Sequence, residues 1–199
     1  MDYNFNSFQK KALKRLLQLD KYKEIREEYK KVDVSTDKKF QKKFNSLYKV
    51  RRDPTWREHF YNYFEKIKND SNIDFKTILI ELSGEEGDIE ASFSSKLLAT
   101  INQDMPIWDK YVIRNLDCKI TGKTRKEKIE STVKIYDDLI NKEDELLKNK
   151  EVKDTINKIN SIFKEYDLTD IKILDYILWN DREKRWQRTV MSLIIFSFY

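Results

Sequence analysis

Glycine and proline are almost missing from this chain, at three and two residues in 199. Many-stranded sandwiches and barrels need turn residues at short intervals, so that count excludes them. Nucleotide folds built on glycine-rich loops are disfavoured by the same shortage. One cysteine, Cys118, excludes an internal disulfide framework and a cysteine zinc site. One histidine, His59, excludes His-rich metal centres and argues against Ser-His or Cys-His catalysis. The closing run 190–199 is apolar, but crossing a bilayer takes about 20 residues. Met1-Asp2-Tyr3-Asn4 has neither the basic start nor the apolar stretch of a signal peptide, so the cytoplasm is the expected address. No cofactor and no metal are expected.

What is present is lysine, aromatic rings and helical spacing. Hydrophobic residues make up 39% and aromatics 13%, too many core formers for a disordered chain. Forty basic against thirty-five acidic residues give +5, which permits a polyanion partner without demanding one. The expected fold is all-α, a compact multi-helix domain over 1–199. Residues 1–50 read as a helical extension, 51–180 as the core, and 181–199 as an apolar C-terminal segment.

Phe8, Ala12, Leu13, Leu16, Leu17 and Leu19 recur at helical spacing and predict a first helix over about 7–30. Ser35-Thr36-Asp37 caps a second, carrying Phe40, Phe44, Leu47 and Tyr48. Asp53-Pro54 starts a third, with Trp56, Phe60, Tyr63, Phe64 and Ile67 on one face. A short apolar helix over 74–82 ends at Ser83-Gly84. Phe93, Leu97, Leu98 and Ile101 mark the next, which Asp104-Met105-Pro106 breaks before a new start near Trp108. Ile129, Val133, Tyr136 and Ile140 lie on a charged helix over 124–149. Val152, Ile156, Ile159 and Phe163 follow, and Thr169 or Asp170 caps a last apolar helix over 171–179.

Two motifs fail on inspection. Thr121-Gly122-Lys123-Thr124 imitates the end of a phosphate-binding loop, but the glycine required five positions before Gly122 is Asp117. Glu85, Glu86, Asp88 and Glu90 fit no EF-hand spacing and read as a solvated acidic loop.

Residues 87–116 hold the informative pattern, a helix, a proline break, and an aspartate opening the next helix. Pro106-Ile107-Trp108-Asp109-Lys110-Tyr111-Val112 keeps the Pro, Ile, Asp and Val of the segment Pro-Ile-Leu-Asp-Gly-Asn-Val. That segment holds the catalytic aspartate of adenine glycosylases, and here the chain resembles the helix-hairpin-helix DNA glycosylase superfamily. Ser92-Phe93-Ser94-Ser95-Lys96-Leu97-Leu98 is similar to the helix preceding that aspartate in 8-oxoguanine-glycosylase-like proteins. Phe40 to Trp56, with Tyr48, Arg51 and Arg52, is similar to bacterial helical proteins sharing this core.

The resemblance implies a base-excision enzyme acting on DNA with Asp109 as its catalytic carboxylate. It implies a base pocket walled by Trp108 and Tyr111. Gly87 falls in the hairpin, and Arg51, Arg52, Lys96, Lys110, Arg114, Lys119 and Lys123 are candidates for phosphate contacts. The hairpin departs from the family's Leu-Pro-Gly-Val-Gly. Glu85-Glu86-Gly87-Asp88-Ile89 stands there, with one glycine and three acids that repel a phosphate. The lyase lysine of bifunctional members aligns with Ala91. Lys96, five residues on at ~100° per residue, points about 140° away. Any activity is therefore expected to be monofunctional.

Each residue also has a plain structural reading. Asp109 after a proline is a good N-cap, worth about 1 kcal/mol without catalysis. Trp108 and Tyr111 also read as core rings. Two other classes stand beside the enzyme. One is a helical nucleic-acid-binding or regulatory protein that keeps the scaffold without the chemistry. The other is an interaction module that docks its apolar end, 190–199, on a partner or a second copy.

Overall fold

The computed structural model describes residues 16–115 and 119–180, and all the regular structure in them is helical. In chain order the helices are α1 (Leu16–Glu28), α2 (Lys38–Tyr48), α3 (Pro54–Ile67), α4 (Phe75–Ser83) and α5 (Ala91–Ile101). Then come α6 (Lys110–Asn115), α7 (Arg125–Lys148), α8 (Lys150–Ile162), the 3₁₀ turn Lys164–Tyr166, and α9 (Asp170–Asn180). Among the described residues no helix is long and apolar enough to cross a membrane.

Most starts follow from local chemistry. The Asp37 carboxylate accepts from the amides of Lys39 and Phe40, Asp53 from Trp56, and Asp74 from Thr77. Pro54, lacking an N–H, sits in the first turn of α3, where that donor would have no helical partner. Thr124 and Glu127 form a reciprocal capping box at the head of α7. Of the two candidate caps for α9, Thr169 fills the role, its hydroxyl accepting from the Lys172 amide. Phe8, Ala12 and Leu13 of the expected first helix lie outside the described residues, as do Cys118 and the segment 181–199.

The core begins as an aromatic block. Phe44 touches Phe40, Tyr48, Phe60, Tyr61 and Phe64 at centroid distances of 4.7–6.0 Å, and truncating such a ring costs about 3–5 kcal/mol. Tyr61, absent from the expected apolar face of α3, is also buried and donates its hydroxyl to Asn45 Oδ1 at 2.7 Å. The same hydrophobic cluster continues through Phe75, Leu79 and Leu97 to Tyr136, Ile159 and Leu174. Tyr22, Phe40 and Phe44, from the segment expected as an extension, are among its most buried members. From residue 19 to residue 178 there is one core.

One start differs from expectation. α6 begins at Lys110, not at Trp108, and Asp109 stands at the N-cap position, its carbonyl accepting from the Ile113 amide at 3.0 Å. The two residues before it are held outside the helix by contacts with the core, described next.

Candidate active site

α5 ends at Ile101, and the chain turns through 102–109 before α6 begins. Its backbone groups are satisfied by side chains from three helices and one cap. The Gln103 carbonyl accepts from the Thr169 hydroxyl at 2.9 Å. The Pro106 carbonyl accepts from the Tyr136 hydroxyl at 2.8 Å, and the Ile107 amide donates to Asp175 Oδ1 at 3.2 Å. The Trp108 amide donates to the Ser95 hydroxyl at 2.9 Å. Buried backbone groups must be paired, and here the partners arrive from α7, α9 and α5 at once. This turn is anchored far more heavily than its length requires.

Asp109 is half-buried at the end of that turn. Within reach of its charge is Lys96 of α5, whose ammonium donates to the Tyr48 carbonyl at 3.3 Å and sits 4.9 Å from the centre of the Phe93 ring. Burial lowers the Lys96 amine to about 8, while the Asp109 charge pulls it upward. The structure therefore brings together two of the expected site residues from either side of the proline break. Trp108 goes the other way: it is buried, with its ring parallel to Phe75 at 6.4 Å. The side chains of Tyr111 and Arg114 lie outside the described set.

The hairpin before α5 is built tightly. Gly84 closes α4 at φ +59° and ψ −164°, a conformation natural to glycine. A Cβ on Gly87 would come within 2.7 Å of the Ser83 carbonyl oxygen, so the close approach there needs a residue with no side chain. The Arg125 guanidinium then gathers three carbonyls of the loop, those of Ser83, Gly84 and Gly87, at 2.6–2.9 Å. Glu85, Glu86 and Asp88 remain exposed, whereas Glu90 is buried and ion-paired with Arg52.

Arg52 is thus already engaged. It also reaches Asp88 at 3.2 Å and lies over the rings of Trp56 and Phe93 at 5.6 and 5.8 Å. Arg51, Lys110, Lys119 and Lys123 are exposed.

No family model, curated protein or solved structure matches the chain. Among the described residues no cluster of His, Cys, Asp and Glu is arranged to hold a metal ion. The Thr121-Gly122-Lys123-Thr124 stretch is spent on starting α7, with the Lys123 and Thr124 amides donating to Glu127. His59 is exposed on α3, 3.3 Å from the Glu81 carbonyl oxygen. A cleft of about 590 Å³ lies between Arg26, Ser71, Asn102, Gln103, Asp104 and Thr169, and Asp109 does not line it.

Sequence reading singled out Asp109 and Lys96 but not the groups that anchor them. Tyr136 reads as one apolar member of a helical stripe, and Ser95 as part of the segment similar to the helix before the catalytic aspartate. Lys172 and Asp175 fall within the expected apolar helix 171–179. No local pattern says that these side chains converge on one turn.

Proposed function

We propose that the chain binds DNA and acts as a monofunctional base-excision glycosylase of the helix-hairpin-helix kind. Asp109 is its working carboxylate. The observation that carries this reading is the anchoring of 106–108 by Tyr136, Asp175 and Ser95, which fixes the backbone leading into a half-buried carboxylate whose charge reaches the Lys96 ammonium. Catalytic groups need such preorganisation, and a mere connection between helices does not.

The chemistry asks little of the protein. As the C1′–N bond breaks, its electrons leave with the base and positive charge builds on the sugar. The Asp109 carboxylate stabilises that charge, or takes a proton from the water whose oxygen bonds to C1′. Arg51, Lys110, Lys119 and Lys123 supply surface charge for phosphates, with Gly87 at the hairpin tip. Lys96 and Arg52 serve the interior instead, the first beside Asp109 and the second on Glu90.

A second reading is favoured by the position of Trp108. Its ring already stacks within the core, so a flipped base must displace it or stack elsewhere, and the acids of 85–88 face solvent where a phosphate would approach. A nucleic-acid-binding scaffold without catalysis has these properties. Salt-dependent DNA affinity is common to both readings, and base release from modified duplexes separates them. A protein-docking role for 190–199 concerns residues outside the described set. Unchanged assembly and solubility after truncation at Trp186 would remove it.

A further inference from the structure

α9 carries two charged side chains into the core. Lys172 and Asp175 are 6% and 10% exposed, with Nζ and Oδ2 3.7 Å apart. Ile171, Ile173, Leu174 and Leu178 already supply the apolar face of this helix, so packing alone gives no reason for the pair. The Lys172 ammonium is held over the rings of Tyr22 and Tyr176, at 4.8 and 5.5 Å. The other Asp175 oxygen, Oδ1, accepts the Ile107 amide at 3.2 Å, across 68 residues of chain.

We infer that Asp175 is a positioning residue for Asp109: its carboxylate fixes the Ile107 amide, and Lys172 is the counterion that lets it do so as an anion. The inference rests on the reading of Asp109 as the working carboxylate, but the clamp itself is testable without any substrate.

The groups facing Asp175 come from every neighbouring element. They are Lys172 on α9, Glu143 and Tyr136 on α7, Tyr22 on α1, Tyr48 on α2, and Asp109, while Arg26 of α1 and Tyr176 of α9 act on Lys172. Burial raises Asp175 to about 6, while Lys172 and the Ile107 amide pull it down. Burial first, and then the Asp175 charge, push Glu143 well above the carboxylate range, so its proton is held more tightly than on an exposed carboxyl. The consequence has a distinctive sign. An amide bonds a carboxylate more strongly than a carboxylic acid, so the clamp tightens as pH rises through about 6. Overall stability changes in the opposite sense, because a buried acid with a raised pKa favours the folded state most when protonated.

The experiment is amide hydrogen exchange by NMR on the full chain across this range, corrected for intrinsic rates. The Ile107 amide should gain about tenfold protection between roughly pH 5 and 7, while the thermal midpoint does not rise with it. Asp175→Asn keeps an acceptor without the charge and should abolish the gain, leaving amides of α3 unaffected. An Ile107 amide with flat protection in the wild type, or the same gain in Asp175→Asn, overturns the clamp. If Asp175→Asn is too unstable for local exchange to be read, the wild-type series decides alone, with Ser95→Ala as the control that frees Trp108 and spares Ile107. Base release is read separately: a wild type inactive on every duplex sinks the excision reading, and the exchange result still decides the clamp.

Discussion

The Tyr136 hydroxyl donates to the Pro106 carbonyl at 2.8 Å, joining the middle of α7 to the turn that carries Asp109. The same ring lies parallel to Phe75 with centroids 3.8 Å apart, so one side chain both fills the core and fixes the turn. Burial holds its phenol well above the ordinary range, which keeps it a hydrogen-bond donor at all working pH values.

Tyr136→Phe keeps the ring stack and removes only the donor. The Pro106 carbonyl is then buried without that partner, and the fold should lose about 1–2 kcal/mol by urea unfolding. Equal stability of the two proteins would show that the carbonyl is satisfied in another way.

Arg52→Met separates a structural role from a DNA contact. The Glu90 side chain is only 6% exposed, and losing its guanidinium leaves a buried carboxylate unpaired. The expected loss is about 2–4 kcal/mol, with the midpoint of unfolding displaced accordingly. A variant as stable as the wild type but weaker on DNA would instead return Arg52 to the phosphate contacts.

Glu143 makes a prediction of sign. Both its carboxylate oxygens are buried without a hydrogen-bond partner, and its pKa stands well above the ordinary 4.5. The folded state therefore holds a proton that the unfolded chain releases as pH rises past that ordinary value. The stability linked to this group is complete at lower pH and is lost as pH climbs toward the raised pKa. Glu143→Met should gain about 1–2 kcal/mol at neutral pH and flatten the fall of stability with pH. A destabilised variant, or an unchanged pH slope, would mean that the carboxylate is bonded in the folded protein.

Lys119 and Lys123 are exposed and both lie in the segment leading into α7. If they meet phosphates, Lys119→Gln and Lys123→Gln should each reduce the slope of log affinity against log salt by about 0.9. The fold should not notice either change. Titrations of one duplex at several salt concentrations measure the slope, and an unaltered slope removes both residues from the interface.

Much of the helical framework was legible because its signals are local. Asp37, Asp53 and Asp74 cap helices through amides two or three residues away, a relation that spacing alone reveals. Helical spacing puts the start of α6 two residues early, near Trp108, because the start depends on distant partners, whereas the reading of Asp109 as an N-cap agrees with the helix that begins at Lys110. Ile107 and Trp108 stay outside the helix while bonded to Asp175 and Ser95, and neither partner is visible from their neighbourhood. The burial of Lys96, Lys172 and Asp175 is hidden from the sequence for a related reason. A charged residue in a helical pattern reads as solvent-facing, and only the packing shows that these three turn inward. Gly87 offers an intermediate case. Its scarcity marked the loop, but the 2.7 Å approach of the Ser83 oxygen that requires a glycine emerged only from the fold.

The central claim is that Asp109 acts on an N-glycosidic bond, and base release tests it most directly. A panel of duplexes carrying damaged or modified bases is incubated with the wild type and with Asp109→Asn, both checked for folding by circular dichroism. The wild type should release the base from at least one duplex, leaving an unnicked abasic strand, and Asp109→Asn should lose that activity by a factor of at least about a hundred. Equal release by the two proteins, or none from any duplex, would contradict it.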